Sequence, residues 1–124
     1  MTIRVLLVDD NELLVRSIFR AFLNQGYDVR RAVSYDEAVV VAAQLNPDVI
    51  VADFHLKSYS HTGADLLHVC KCNRPETVTI LISGEIDDRY LGEIENDQDI
   101  DRYFSKPVAI SELVATINEL TVTI

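Results

Sequence analysis

The sequence predicts an α/β fold: a doubly wound, five-stranded parallel sheet in the order 2-1-3-4-5, with helices on both faces. Three observations carry this expectation. Short β-branched apolar runs alternate five times with segments of helical period, with no repeat, linker or composition break between them. The first and third runs are nearly continuous in apolar residues, as strands covered on both faces are, whereas the second, Tyr27-Asp28-Val29-Arg30-Arg31, alternates like a sheet edge. At 124 residues, 48% hydrophobic and 25% charged, the chain has the size and composition of one domain, spanning 1–124, that can bury a core.

The first strand is the run Ile3-Arg4-Val5-Leu6-Leu7-Val8. A helix over 11–25 follows, with Leu14, Ile18, Ala21 and Phe22 on one face and Gly26 as its stop. Residues 27–33 form the second strand. Ser34 with Glu37 three residues later is a capping-box signature for a helix that ends near Leu45, before Asn46-Pro47. The third strand spans 48–54 around Val49-Ile50-Val51-Ala52. After a polar loop come a short helix over 64–71, a fourth strand over 77–82 and an acidic fourth helix over 87–95. A short fifth strand over 102–105 and a last helix over 110–120 complete the series. Parallel strands need right-handed crossovers, and ligand chemistry is expected in the crevice at the carboxyl ends of strands one and three, where the winding reverses.

Charge narrows the function classes. Twenty Asp and Glu against eleven Lys and Arg leave a net −9. Residues 85–101 alone hold eight acids against Arg89, a local −7. Such a chain lacks the electrostatic footprint for a phosphate backbone or an anionic membrane, so neither direct nucleic-acid binding nor membrane association is expected. There is no membrane-length apolar run and no leader pattern, and Cys70 and Cys72 sit too close for an ordinary disulfide. A cytoplasmic, reducing location is expected.

The residues at the strand exits converge chemically. Asp9 and Asp10 follow strand one, Asp53 ends strand three, Ser83 follows strand four, and Lys106-Pro107 follow strand five. Three carboxylates in one crevice either raise one another's pKa or share a cation. All-oxygen donors without His or Cys favour a hard ion, and a few carboxylates plus a phosphate oxygen is a Mg2+ pattern. A lysine and a hydroxyl complete a set suited to holding a transferring phosphoryl group, with a carboxylate as nucleophile.

These residues, in this order, resemble the receiver domain of two-component response regulators over the whole chain. The resemblance implies that Asp9 and Asp10 bind Mg2+ together with Asp53 and the backbone carbonyl of His55, and that Asp53 accepts the phosphoryl group. It gives Ser83 and Lys106 the roles of phosphoryl-oxygen partners, makes Pro107 a cis-proline, and assigns Tyr103, with Ser83, to a switch that moves the face of helix four, strand five and helix five. It implies a sensor histidine kinase or histidine phosphotransfer protein as donor, a downstream protein target on the switch face, room for a homodimer, and no enzymatic turnover beyond the domain's own phosphorylation and dephosphorylation. Two departures stand out. Lys57 occupies a position where the family often has proline, and Gly63 lies ten residues after Asp53 instead of about eight, so the intervening loop is longer. Asp53-Phe54-His55-Leu56 and Ser83-Gly84-Glu85 look most like receivers attached to hybrid histidine kinases.

Other readings of the same residues are weaker. Asp9 could cap the first helix and Ser83 the fourth. His55, His61, His68, Cys70 and Cys72 are crowded, but without Cys-x-x-Cys or His-x-x-x-His spacing; Cys70 reads as a small core residue and Cys72 as pointing elsewhere. A phosphatase with an Asp nucleophile would carry a second acid where His55 stands. A flavodoxin-like electron carrier would not place Asp9-Asp10 against a phosphate. An unphosphorylated docking module keeps the fold and leaves the polar set without a role. The 85–101 acids are read either as a solvated helix face or as an address for a basic partner patch, sensitive to salt.

Overall fold

The structure, a computed structural model, describes residues 2–56, 60–84, 86 and 88–122. Five βα units follow one another: β1 (Arg4–Val8), α1 (Glu12–Asn24), β2 (Asp28–Ala32), α2 (Tyr35–Leu45), β3 (Val49–Asp53), α3 (Gly63–Asn73), β4 (Val78–Ser83), α4 (Asp88–Glu95), β5 (Arg102–Ser105) and α5 (Ile110–Leu120). The strands form one parallel sheet in the order β2-β1-β3-β4-β5, as the sequence pattern predicts. Lys57, Glu85 and Asp87, to which the sequence pattern points, lie outside the described residues.

The period-2 alternation of the strands splits the core into two halves. Val5, Leu7, Val49, Val51, Ile80 and Ile82 face α1 and α5, meeting Val15, Ile18, Phe22, Leu113 and Ile117. Leu6, Val8, Ile50, Ala52 and Leu81 face α2, α3 and α4, meeting Ala38, Leu66, Leu67, Cys70 and Ile94. Each large side chain so buried contributes about 1.5–3 kcal/mol of transfer free energy. The continuous apolar character of β1, β3 and β4 is thus a consequence of cover on both sides, while β2, with Arg30 exposed, is an edge.

Helix ends differ from the sequence expectation in instructive ways. Asn11 is the N-cap of α1, its side chain accepting from the N–H of Leu14, so α1 does not need Asp9. The buried stripe of α1 runs through Val15, Ile18 and Phe22, with Leu14 only partly buried. Ser34 caps α2 through the N–H of Glu37, but the Glu37 carboxylate reaches the N–H of Val33 and not that of Ser34. A complete capping box instead opens α3: Thr62 Oγ1 accepts from Asp65 N–H at 3.2 Å and Asp65 accepts from Thr62 N–H at 2.8 Å. This sets the helix start one residue earlier than expected and carries it to Asn73. No described helix is long and apolar enough to cross a membrane.

Candidate functional site

Parallel strands deliver all their carboxyl ends to one edge, and that edge collects the polar exits. Asp9 follows β1 and Asp53 ends β3; both are almost fully buried, at 1% and 5% exposure, while Asp10 lies further out. Single carboxylate oxygens of Asp9, Asp10 and Asp53 lie within 4.8 Å of one another. Lys106, just beyond β5, reaches over them: its Nζ is 3.1 Å from Asp9 Oδ2 and 3.5 Å from Asp53 Oδ1. The first of these is a hydrogen bond; the second is an ion pair without hydrogen-bond geometry, which leaves Asp53 Oδ1 buried and unbonded.

Backbone contacts hold this constellation. Asp9 Oδ1 accepts from the N–H of Asn11 at 2.9 Å, fixing the carboxylate at the mouth of the β1–α1 turn. Phe54 N–H donates to Ile82 O at 2.9 Å, and Lys106 N–H to Ser83 O at 2.7 Å, so the exits of β3, β4 and β5 are tied in series. The Lys106–Pro107 peptide is cis. Gly63 closes the approach from below: its N–H donates to Phe54 O at 2.8 Å, and a Cβ in its place would lie 2.0 Å from Asp53 O. Only a residue without a side chain lets the start of α3 come this close to the end of β3.

Electrostatics follow from the packing. Burial and the neighbouring Asp9 charge push the Asp53 carboxyl above the usual aspartate range, against the opposing pull of Lys106 and His55. Ser83 Oγ is fully buried and finds no hydrogen-bond partner among the described residues. Two buried polar atoms without partners, Asp53 Oδ1 and Ser83 Oγ, thus mark the exits of β3 and β4. An unsatisfied buried polar atom costs stability and calls for an explanation outside the resting fold.

The remaining candidates spread outward. His55 lies just after β3 with its side chain exposed and its ring edge-on to Phe54 at 5.0 Å. Tyr103 sits on β5 opposite Leu81, partly buried against the α2–α3–α4 half of the core, and burial raises its phenol above the ordinary value. Phe54 also meets Tyr90 of α4 at 5.9 Å, a contact between the end of β3 and α4 that the residues at the strand exits do not reveal. Cys70 is buried, its thiol pushed up to about 11 by burial, and Cys72 is exposed, so the two diverge as their helical spacing implies. His61 stacks on Tyr35 at 4.1 Å, while His68 turns to Asp97 and Asp99.

Comparison with known proteins places this geometry. The chain is 29% identical over 120 residues to the probable transcriptional regulatory protein TcrX of Mycobacterium tuberculosis, covering 95% of this chain and 49% of that protein. It is 27% identical over 118 residues to the sensor kinase CckA of Brucella abortus, covering 94% of this chain and 12% of that one. The chain therefore spans about half the length of the curated transcriptional regulators it matches, and less of the kinase. Its fold superposes on a CheY-like response regulator receiver domain from Methanospirillum hungatei with a TM-score of 0.86 at 24% identity, covering 96% of this chain and 93% of that one. The profile of the response regulator receiver domain matches residues 5–118, and the chain belongs to that family of two-component signalling modules.

Proposed function

We propose that Asp53 accepts a phosphoryl group from a phosphohistidine on a sensor histidine kinase or histidine phosphotransfer protein. The observation that carries this reading is the buried, unbonded Asp53 Oδ1, held 3.5 Å from Lys106 Nζ at the crevice. In the transfer, an Asp53 carboxylate oxygen attacks phosphorus in line. The bond to the histidine nitrogen breaks as the new P–O bond forms, and the imidazole leaves with the electron pair. The Lys106 ammonium offsets charge on the phosphoryl oxygens, and the Ser83 hydroxyl, free of other partners, donates to one of them. Asp9, anchored by Asn11 N–H and Lys106, keeps the crevice geometry fixed.

The donor set fits a hard divalent cation. Three carboxylates within 4.8 Å of one another offer only oxygen, and one of those oxygens is an orphan. Asp9, Asp10 and Asp53, with the His55 carbonyl, would hold Mg2+. When bound it would supply charge neutralisation for the transferring phosphoryl oxygens.

The acyl phosphate then draws Ser83 and Lys106 inward, Tyr103 follows, and the α4–β5–α5 face shifts its population toward a form that a downstream protein reads. Hydrolysis resets it, so the chain turns over no substrate but its own phosphoaspartate. Free Cys70 and Cys72 suit a cytoplasmic setting. As a docking module without phosphorylation, the same fold would leave Asp53 Oδ1 and Ser83 Oγ without a purpose.

Incubation with acetyl phosphate and Mg2+, followed by intact-mass analysis, tests the reading. A phosphoryl adduct is expected on the wild type, absent without Mg2+ and absent from Asp53→Asn. An adduct that survives in the variant, or none on the wild type, refutes it.

A further inference from the structure

The described acids of the 85–101 stretch do not form one surface. Asp101 accepts from Thr79 N–H at 2.9 Å and from Lys71 Nζ at 2.7 Å. Asp97 and Asp99, in the connection between α4 and β5, close on opposite nitrogens of a single imidazole: His68 of α3 lies 2.7 Å from Asp97 through Nε2 and 2.7 Å from Asp99 through Nδ1. None of these groups enters the acceptor site.

A neutral imidazole has one N–H and one lone pair. Whichever tautomer forms, one nitrogen would then meet a carboxylate oxygen lone pair to lone pair. Nδ1 is hydrogen-bonded to Asp99, while Nε2 meets Asp97 as a close ion pair, and the two contacts are favourable together only when the ring is cationic. The surroundings act in the same sense. The cleft beside the ring is lined by Asp65 of α3, by Tyr90 and Glu93 of α4, and by Asp97. Lys71, nearly one turn further along α3, is already engaged by Asp101.

We propose that His68 is a proton-operated clamp: charged, it ties α3 to the α4–β5 connection through both Asp97 and Asp99, and on losing its proton it releases one of them. Asp101 stays on Lys71 and Thr79, so the segment freed is 97–100, which joins the end of α4 to β5 and packs Ile100 into the core. The clamp therefore makes the placement of the α4–β5 part of the switch face depend on pH, through groups that lie outside the Asp9–Asp10–Asp53 crevice.

The sign follows from linkage. Partial burial opposes the charged ring, but the Asp99 hydrogen bond and the charges of Asp97 and Asp99 outweigh it and raise the imidazolium above its ordinary value. A group raised in this way contributes stability that is fully present below the unfolded-state value and is lost as pH rises through the folded-state value. The clamp is closed at mildly acidic pH and opens toward alkaline pH.

Nitrogen-15 NMR of the whole chain, titrated from about pH 5 to about pH 9 across the histidine range, decides the matter. The His68 ring should carry protons on both nitrogens at the acidic end and titrate above ~6.5. The amides of residues 97–100 should shift with the same midpoint. Asp97→Asn and Asp99→Asn should each lower that midpoint, and in His68→Gln the loop transition should vanish. A His68 midpoint at or below the ordinary imidazole value, or loop amides that stay silent through its titration, would overturn the proposal. The wild-type titration alone separates these outcomes, so no variant has to fold.

Discussion

Asp53 carries its charge where water would not leave it unattended. Its carboxyl is raised by burial and by Asp9, and Lys106 only partly offsets both. For an aspartate whose folded value lies above the unfolded one, ionisation costs stability at every pH above the unfolded value. That cost builds as pH rises toward the folded value and persists at neutrality. Asp53→Asn removes the buried charge and should therefore stabilise the metal-free protein at pH 7. The advantage should disappear at a pH below the range of an unfolded aspartate. Thermal denaturation with and without Mg2+ checks this: the variant melts higher without the ion, and the wild type gains more from adding it. Equal melting temperatures in metal-free buffer would mean that Lys106 fully compensates the carboxylate.

The junction between β3 and α3 shows how elements, not single groups, place Asp53. The Thr62–Asp65 capping box starts α3 where Gly63 can lie against the backbone of Asp53, and the contact is with backbone, which cannot swing aside as a side-chain tip can. Gly63→Ala should therefore force α3 or the end of β3 to shift, lowering stability by about 1–3 kcal/mol, as overpacking does. It should also slow phosphorylation of Asp53. Gly84, with open space around it, is the control: Gly84→Ala should leave the fold nearly unchanged. Denaturant midpoints and adduct formation rates measure both, and a Gly63→Ala protein that matches the wild type would remove the glycine from the site's construction. This junction is only half legible in the sequence. A glycine is expected near the acceptor, but the longer loop hides the capping box, and closeness of backbone to backbone leaves no pattern in residue types. The His68 clamp is hidden for a related reason: its partners lie 29 and 31 residues away, and nothing in local periodicity says that the α4–β5 connection folds back on α3. The strand exits, by contrast, are legible because a parallel sheet brings every carboxyl end to one edge whatever the loops do.

At the scale of the whole molecule the −9 charge, first a reason to set nucleic acids aside, becomes a kinetic quantity. Part of the acidity is engaged internally, on Lys106 by Asp9, on His68 by Asp97 and Asp99, and on Lys71 by Asp101. Asp88, Glu93 and Glu95 remain exposed around α4. An anionic phosphodonor approaching such a molecule is repelled over distances of a Debye length, ~10 Å at 0.1 M salt, and short contacts such as that with Lys106 act only within the crevice. At saturating Mg2+, the phosphorylation rate with acetyl phosphate should thus rise with ionic strength, by about twofold between ~0.02 and ~0.3 M NaCl, because screening removes the repulsion faster than it weakens the short contacts within the crevice. Phosphoramidate, which carries less negative charge at neutral pH, should respond less. A rate that falls with salt for both donors would show that attraction to individual cationic groups, not the net charge, governs the approach.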